Sequence, residues 1–530
     1  MEFPKVLQGP GGARPRQEAG PPALLQEVLI MNRQEVPMMN PSTCSRRFFS
    51  VLGTLVIVVA ACSDAEDVDP TGLGLDPAME LEALPDGDLD RALVAMLAAH
   101  GYTGSVESTV EQRLGRPVDS RLARLGEFLF FDPVTSLTGD NTCAGCHAPN
   151  ASFGGTQPIA IGVDNNGIVG PDRTGPRNLR RSPTVINSAL FPRIMLNSRF
   201  ESLSGDPFDN SADFLFPDPD GTSLSYLPHL LAAQAFQPVV DRSEMAGFVF
   251  QGSRDEMRQE LARRVDAIER YRAEFGKVYP EIADGAPIVF DHIGEAMAEF
   301  QISLVFADAP LDQYARGRRS ALTPAQKRGA LLFFGDAGCV SCHAVDVPFA
   351  SGDEMFTDYR EHVVGVPQIV PDASNVSRDG PGEDEDFGLE QITGDPDDRY
   401  AFRTSPLRNV ALQPYFMHSG AFTDLEEAIR HHLNAYESAR NYSPDRIDPD
   451  LRNLGPVEPV LERLDERIAE PPKLTEEEIG DLVDFVCKGL LDRDAMPNRM
   501  QSELPRALPS GLPVHEFQFG AEPPDPCLEE

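Results

Sequence analysis

Leucines at 122, 125 and 129 recur at three- and four-residue intervals after Ser120, a stripe that one face of a helix buries. The same periodicity predicts a helix through Leu93 and Leu97 with Asp90 as its cap, and a longer one within 287–308 that buries Phe290, Ile293, Met297, Phe300 and Leu304. Thr323 is a natural N-cap with Pro324 at the first helical position, and Thr475 with Glu478 forms a capping box ahead of Ile479, Leu482, Val483 and Val486. A further box, Thr423 with Glu426, opens a short helix on which Leu425, Ala428, Ile429 and His432 share a face. His431 is turned from that face by about 100° and is expected outside. Between these elements, residues 151–228 are rich in Gly, Pro, Asn and Asp and read as loop. The acidic runs 383–386 and 395–398 read as solvated surface.

One pattern occurs twice. GEFLFF at 126–131 precedes CAGCH at 143–147, and GALLFF at 329–334 precedes CVSCH at 339–343. In C-x-x-C-H the two thiols add to the vinyl groups of a haem and the adjacent histidine ligates its iron. A zinc knuckle requires a closed set of four ligands, and neither copy has a second Cys/His pair nearby. Cys143, Cys146 and His147 are thus expected to bind one haem, and Cys339, Cys342 and His343 a second, in a duplicated haem unit.

The second axial position decides what each iron does. For the second haem the helix-face argument favours His432, with Met417 and His418 as alternatives. After His147 there is no histidine until His229, which leaves the first iron open to a small oxidant. Peroxide chemistry there also needs a group that moves a proton, and a carboxylate over the iron suits.

Charge and the N-terminus set the setting. Asp and Glu number 84 against 46 Lys and Arg, a net charge of −38, which repels nucleic acid and is compatible with a basic redox partner. The apolar run 48–61 is too short to span a bilayer. It follows Arg46 and Arg47 and ends in VAAC at 59–62, resembling a signal peptide with a lipobox that leaves Cys62 lipidated. Residues 1–62 are read as that signal, with translation starting at Met38 or Met39. Residues 63–88 are read as a flexible tether holding the protein to a membrane outside the cytoplasm. Cys487 and Cys527 are the remaining thiols and are candidates to pair.

From about Leu125 to Leu433 the chain resembles the bacterial dihaem cytochrome c peroxidase and MauG family. The resemblance is carried by LGEFLFFDP at 125–133, SFGG at 152–155, SPTVIN at 182–187, PLRNVAL at 406–412, PYFMHSG at 414–420 and both haem motifs. It implies an all-α fold of two cytochrome c-like haem domains packed together with long loops. The domains are placed at 89–315 (peroxidatic) and 316–500 (electron transfer), with a tail at 501–530. It implies two covalently bound haems and reduction of hydrogen peroxide to water, with a small donor protein such as a cytochrome; a homodimer is a candidate assembly that the sequence itself does not decide.

Position by position, Glu244 resembles the family's acid/base and Gln234 the residue that orients peroxide. His432 falls where relatives ligate the second iron. Three departures stand out: Val163 follows Ile161 and Gly162 where activated relatives carry a distal histidine, Leu196 replaces a tryptophan three residues before Arg199, and Arg181 stands where an asparagine is expected to join the Thr404 and Pro406 carbonyls on a calcium ion. A cation beside calcium is unfavourable. The competing readings are an electron carrier or redox sensor whose first iron is blocked by a ligand such as Met195, and a MauG-like oxidase of an organic or protein substrate.

Overall fold

A computed structural model describes residues 81, 84–215, 223–347, 354–371 and 385–519. The signal, Cys62, most of the tether and Cys527 lie outside these residues. No helix among the described residues is long and apolar enough to cross a membrane.

Seven helices carry the framework: α1 (Asp86–Ala99), α2 (Ser120–Phe131), α3 (Arg254–Asp266), α4 (Phe290–Ile302), α5 (Pro324–Phe334), α6 (Leu425–Leu433) and α7 (Glu476–Asp484). Thr323 and Gln326 close a capping box on α5, and Thr475 with Glu478 does so on α7. Two expected caps are displaced. α1 starts at Asp86, and Asp90 lies inside it, where its carboxylate accepts from Tyr314 Oη (2.7 Å) and pairs with Lys327 (2.8 Å). α6 is capped by Asp424, which accepts from the Glu427 amide, and not by Thr423.

The sequence repeat is a structural repeat. α2 crosses α4 at Gly126, where an added Cβ would stand 1.8 Å from the Ala296 carbonyl oxygen. α5 crosses α7 at Gly329, where a Cβ would stand 2.0 Å from that of Asp481. Only a residue without a side chain permits either approach. Beside each crossing, three phenylalanines meet edge to face. Phe130 lies 5.2 Å from Phe300 and 6.0 Å from Phe153; Phe333 lies 5.6 Å from Phe485 and 5.8 Å from Phe356.

A left-handed asparagine ties the loop of each half to the segment after its crossing helix. The Asn187 amide N–H donates to Leu304 O and its side chain accepts from Phe306 N; the Asn409 N–H donates to Leu490 O and its side chain accepts from Asp492 N.

The chain ends are exchanged between these two crossings. α1 packs Leu89, Leu93, Met96 and Leu97 into the apolar cluster of α5 and α7. Ala495, Met500 and Leu508 join the cluster of Phe130, Phe153 and Phe300, and Phe517 lies 5.7 Å from Phe131. Cys487, disulfide-bonded, is buried beside α5 and α7.

Helix dominates, yet the long loops also carry ladders of two or three residues that an all-α reading leaves out. Arg193–Ile194, Phe200–Ser202 and Phe214–Leu215 form an antiparallel sheet, and Glu361–His362 pairs with Phe402–Arg403. Ile168–Val169 pairs in parallel with Glu516–Phe517 near the C-terminus.

Candidate functional site

Each C-x-x-C-H turn opens onto its own cavity. The first, of about 600 Å³, lies beside α2 and α4. Thr142 accepts from the Gly145 amide (2.9 Å) and so caps the single turn Cys143–Cys146; Cys143, Cys146 and His147 line the cavity. His147 Nδ1 faces the Pro183 carbonyl at 2.8 Å, which can only accept, so Nε2 is the nitrogen left with a lone pair. Burial lowers the His147 pKa, which keeps the ring in the neutral form that metal ligation requires.

Glu244 reaches this cavity from the five-residue turn Arg242–Ala246, whose amides at Ser243 and Glu244 are capped by Asp241. Asn141, two residues before Cys143, donates to the Glu244 carbonyl at 2.8 Å and locks this turn to the haem motif. Gly162 packs so closely that a Cβ would stand 1.9 Å from the Ser243 carbonyl, and the Val163 amide donates to the same oxygen. Val163 is fully buried there.

Burial pushes the Glu244 carboxyl up to about 7; Asp241 adds to the rise, and Arg199, at 3.6 Å, opposes it. Gln234, at the end of the turn Leu230–Gln234, lines the same cavity. Among the described lining residues His147 is the only histidine. His229 is consumed in capping, with Nδ1 accepting from Leu231 N and Nε2 donating to Ala189 O. Met195 also lines the cavity.

Arg199 is the functional neighbour that sequence reasoning passed over. It was visible only as the basic residue three positions after Leu196. Its Nε, with Asn178 Oδ1 and Asn197 Oδ1, is buried at this cavity without a hydrogen-bond partner, as expected of walls built around a polar guest.

The second cavity, of about 240 Å³, is bounded by α5, α6 and α7. His343 and His432 both line it, with ring centroids 6.2 Å apart. Two metal–nitrogen bonds of about 2 Å plus two ring radii come to roughly 6 Å, so the separation suits one iron between the rings. Each Nδ1 is taken by a carbonyl, Phe356 O (3.0 Å) for His343 and Ala428 O (2.8 Å) for His432. Burial brings His343 down to about 4 and lowers His432 as well.

The alternatives Met417 and His418 also line the cavity, His418 stacked flat on Phe402 at 3.6 Å with its Nε2 unpartnered. His431, expected outside, is fully buried: Nε2 bonds to the Val364 carbonyl and Nδ1 to the Ser438 hydroxyl. The face opposite His432 is covered by residues distant in sequence, which helical periodicity does not register.

Two further features were not legible either. His362 lies between Asp465 (2.7 Å) and Asp358 (2.9 Å), close to Cys342 and Arg467. Asp386, read as part of a solvated run, is buried and paired with Arg180 at 2.6 Å.

Two paired thiol turns, each with a part-buried histidine held in the neutral form and its own cavity, fit a two-haem oxidoreductase of the peroxidase type. The chain belongs to the di-haem cytochrome c peroxidase family, whose sequence model matches residues 120–320. It is 31% identical to the methylamine utilization protein MauG of Paracoccus denitrificans over 368 residues, 67% of this chain and 84% of the relative. It is 28% identical to cytochrome c551 peroxidase of Pseudomonas aeruginosa over 344 residues, 65% and 80% of the two chains. A solved MauG-like protein associated with microbial copper homeostasis aligns at 25% identity and a TM-score of 0.48, covering 72% of this chain and 91% of that one.

Proposed function

We propose that this protein reduces hydrogen peroxide to water with electrons from a small redox protein, binding peroxide at the first cavity and receiving electrons at the second. The observation that carries this reading is the inequality of the cavities: a single histidine and a carboxyl raised to about 7 in one, two facing imidazoles in the other. We read Cys143, Cys146, Cys339 and Cys342 as thioether attachments, His147 and His343 as proximal ligands and His432 as the distal ligand of the second haem. The haem, when bound, supplies the iron that takes up peroxide and relays electrons.

Glu244, as carboxylate, would take a proton from one peroxide oxygen and return it to the other, which would leave as water. Gln234 holds the peroxide by its amide, and Asn141 and Asp241 keep the Glu244 turn in place. Two protons and two electrons complete the conversion of one peroxide to two waters. We assign the first haem to a domain at 89–315 and the second to one at 316–500, each steadied by the other's terminal segment. We place the mature protein outside the cytoplasm, anchored by lipid at Cys62, with homodimerisation as its assembly.

The test is the oxidised spectrum with a peroxide titration. One high-spin and one low-spin haem with rapid peroxide reduction is expected; two low-spin haems inert to peroxide would establish the electron-carrier reading, with Met195 as the blocking ligand.

A further inference from the structure

The resemblance that implies two haems also implies a calcium ion between them, with the carbonyls of Thr404 and Pro406 among its donors. The residues present do not fit that ion. Calcium takes six to eight oxygens, commonly including carboxylates. Here the Thr404 carbonyl already accepts from Thr357 Oγ1 (2.7 Å) and from Arg403 Nη1 (3.1 Å). Where an asparagine donor is expected stands Arg181, 9% exposed, whose Nε donates to Met417 O (3.0 Å) and Nη1 to Gln413 Oε1 (3.4 Å). Arg403, 5% exposed, also donates from Nε to Met195 O at 3.0 Å.

Neither guanidinium forms an ion pair among the described residues, and burial brings both down to about 10. Both line the first and the second cavity, together with Pro183, Thr184, Phe191 and Leu196. Glu361, opposite Arg403 in its ladder, offsets part of the burial of that one cation, and Arg181 has no such neighbour. Two buried cations with no carboxylate in direct contact are costly unless an anion reaches them. Each haem carries two carboxylate groups.

We propose that Arg181 and Arg403 replace the calcium ion with two fixed cations between the cavities and hold haem carboxylates there, so that this protein works without a divalent ion. The inference rests on the two-haem reading, and haem content measured first separates the two. Two haems per chain are required by that reading, and fewer would overturn it before calcium is considered. Holoprotein is then dialysed against EGTA or against millimolar calcium chloride. No stoichiometric calcium by elemental analysis, and the same melting temperature and visible spectrum in both buffers, are expected. One calcium bound per chain, or a chelator-induced change that calcium reverses, overturns the proposal.

The charge itself is tested by Arg181→Met, which should move at least one haem midpoint potential to more negative values, while Arg181→Lys restores most of the shift. Unchanged midpoints in Arg181→Met overturn it. Should that variant fail to accumulate, Arg403→Met carries the same readout.

Discussion

On the proposed reading, Glu244 should set an acid limit on turnover. Its carboxyl is held up at about 7 by burial, and only the carboxylate can accept a proton, so the rate constant for peroxide reduction should rise as pH increases through about 7. Arg199 opposes that rise at 3.6 Å, and Arg199→Met should therefore move the midpoint of the profile to higher pH. Glu244→Gln should lower turnover by about 10²–10⁴-fold with both haems still attached. Stopped-flow peroxide kinetics across pH read all three. At the second haem, His432→Ala should convert the low-spin spectrum toward high spin and leave haem content intact, as covalent attachment predicts; an unchanged low-spin spectrum would move the ligand to Met417 or His418. These residues were legible to different degrees. The place of His432 at the second cavity followed from periodicity because its helix buries one apolar face, whereas Arg199 and His362 act through partners brought from other segments.

At the scale of elements, the Gly-x-x-Leu-Phe-Phe repeat marks two helix crossings. Gly126→Ala and Gly329→Ala should each destabilise by at least about 1–3 kcal/mol, because the new methyl meets a backbone carbonyl that has no room to retreat. Denaturant unfolding of the two variants checks this; a loss confined to one of them would show that the crossings are not equivalent. The repeat was readable because glycine and phenylalanine are required by contact geometry close by in sequence. The start of α1 at Asp86, without a side-chain cap, and the cap at Asp424 were not: Asp90 is drawn off by Tyr314 and Lys327, and Asp424 stands beside Thr423 as a competitor for the amides that open α6. The short ladders escaped notice since strands of two or three residues are too brief to alternate visibly.

Over the whole molecule, a net charge of −38 predicts how a donor is captured. Turnover with a basic cytochrome should fall steeply as ionic strength rises from low to physiological values, whereas turnover with a small neutral reductant should change little. Equal salt dependence for both would place the donor contact on uncharged surface. The exchange of the chain ends had no signal in the sequence, because α1 and Lys327 of α5 are separated by 241 positions. It governs the order in which the molecule can be completed. A polypeptide grows from its N-terminus, so the wall formed by Ala495, Met500, Leu508 and Phe517 arrives after almost everything else has been made. Until then Cys143, which packs against that cluster, lacks the cover of these residues. Apo chains ending before residue 495 should label faster with maleimide at Cys143 than full-length apo chains do; equal labelling would show that the late segment gives this thiol no cover.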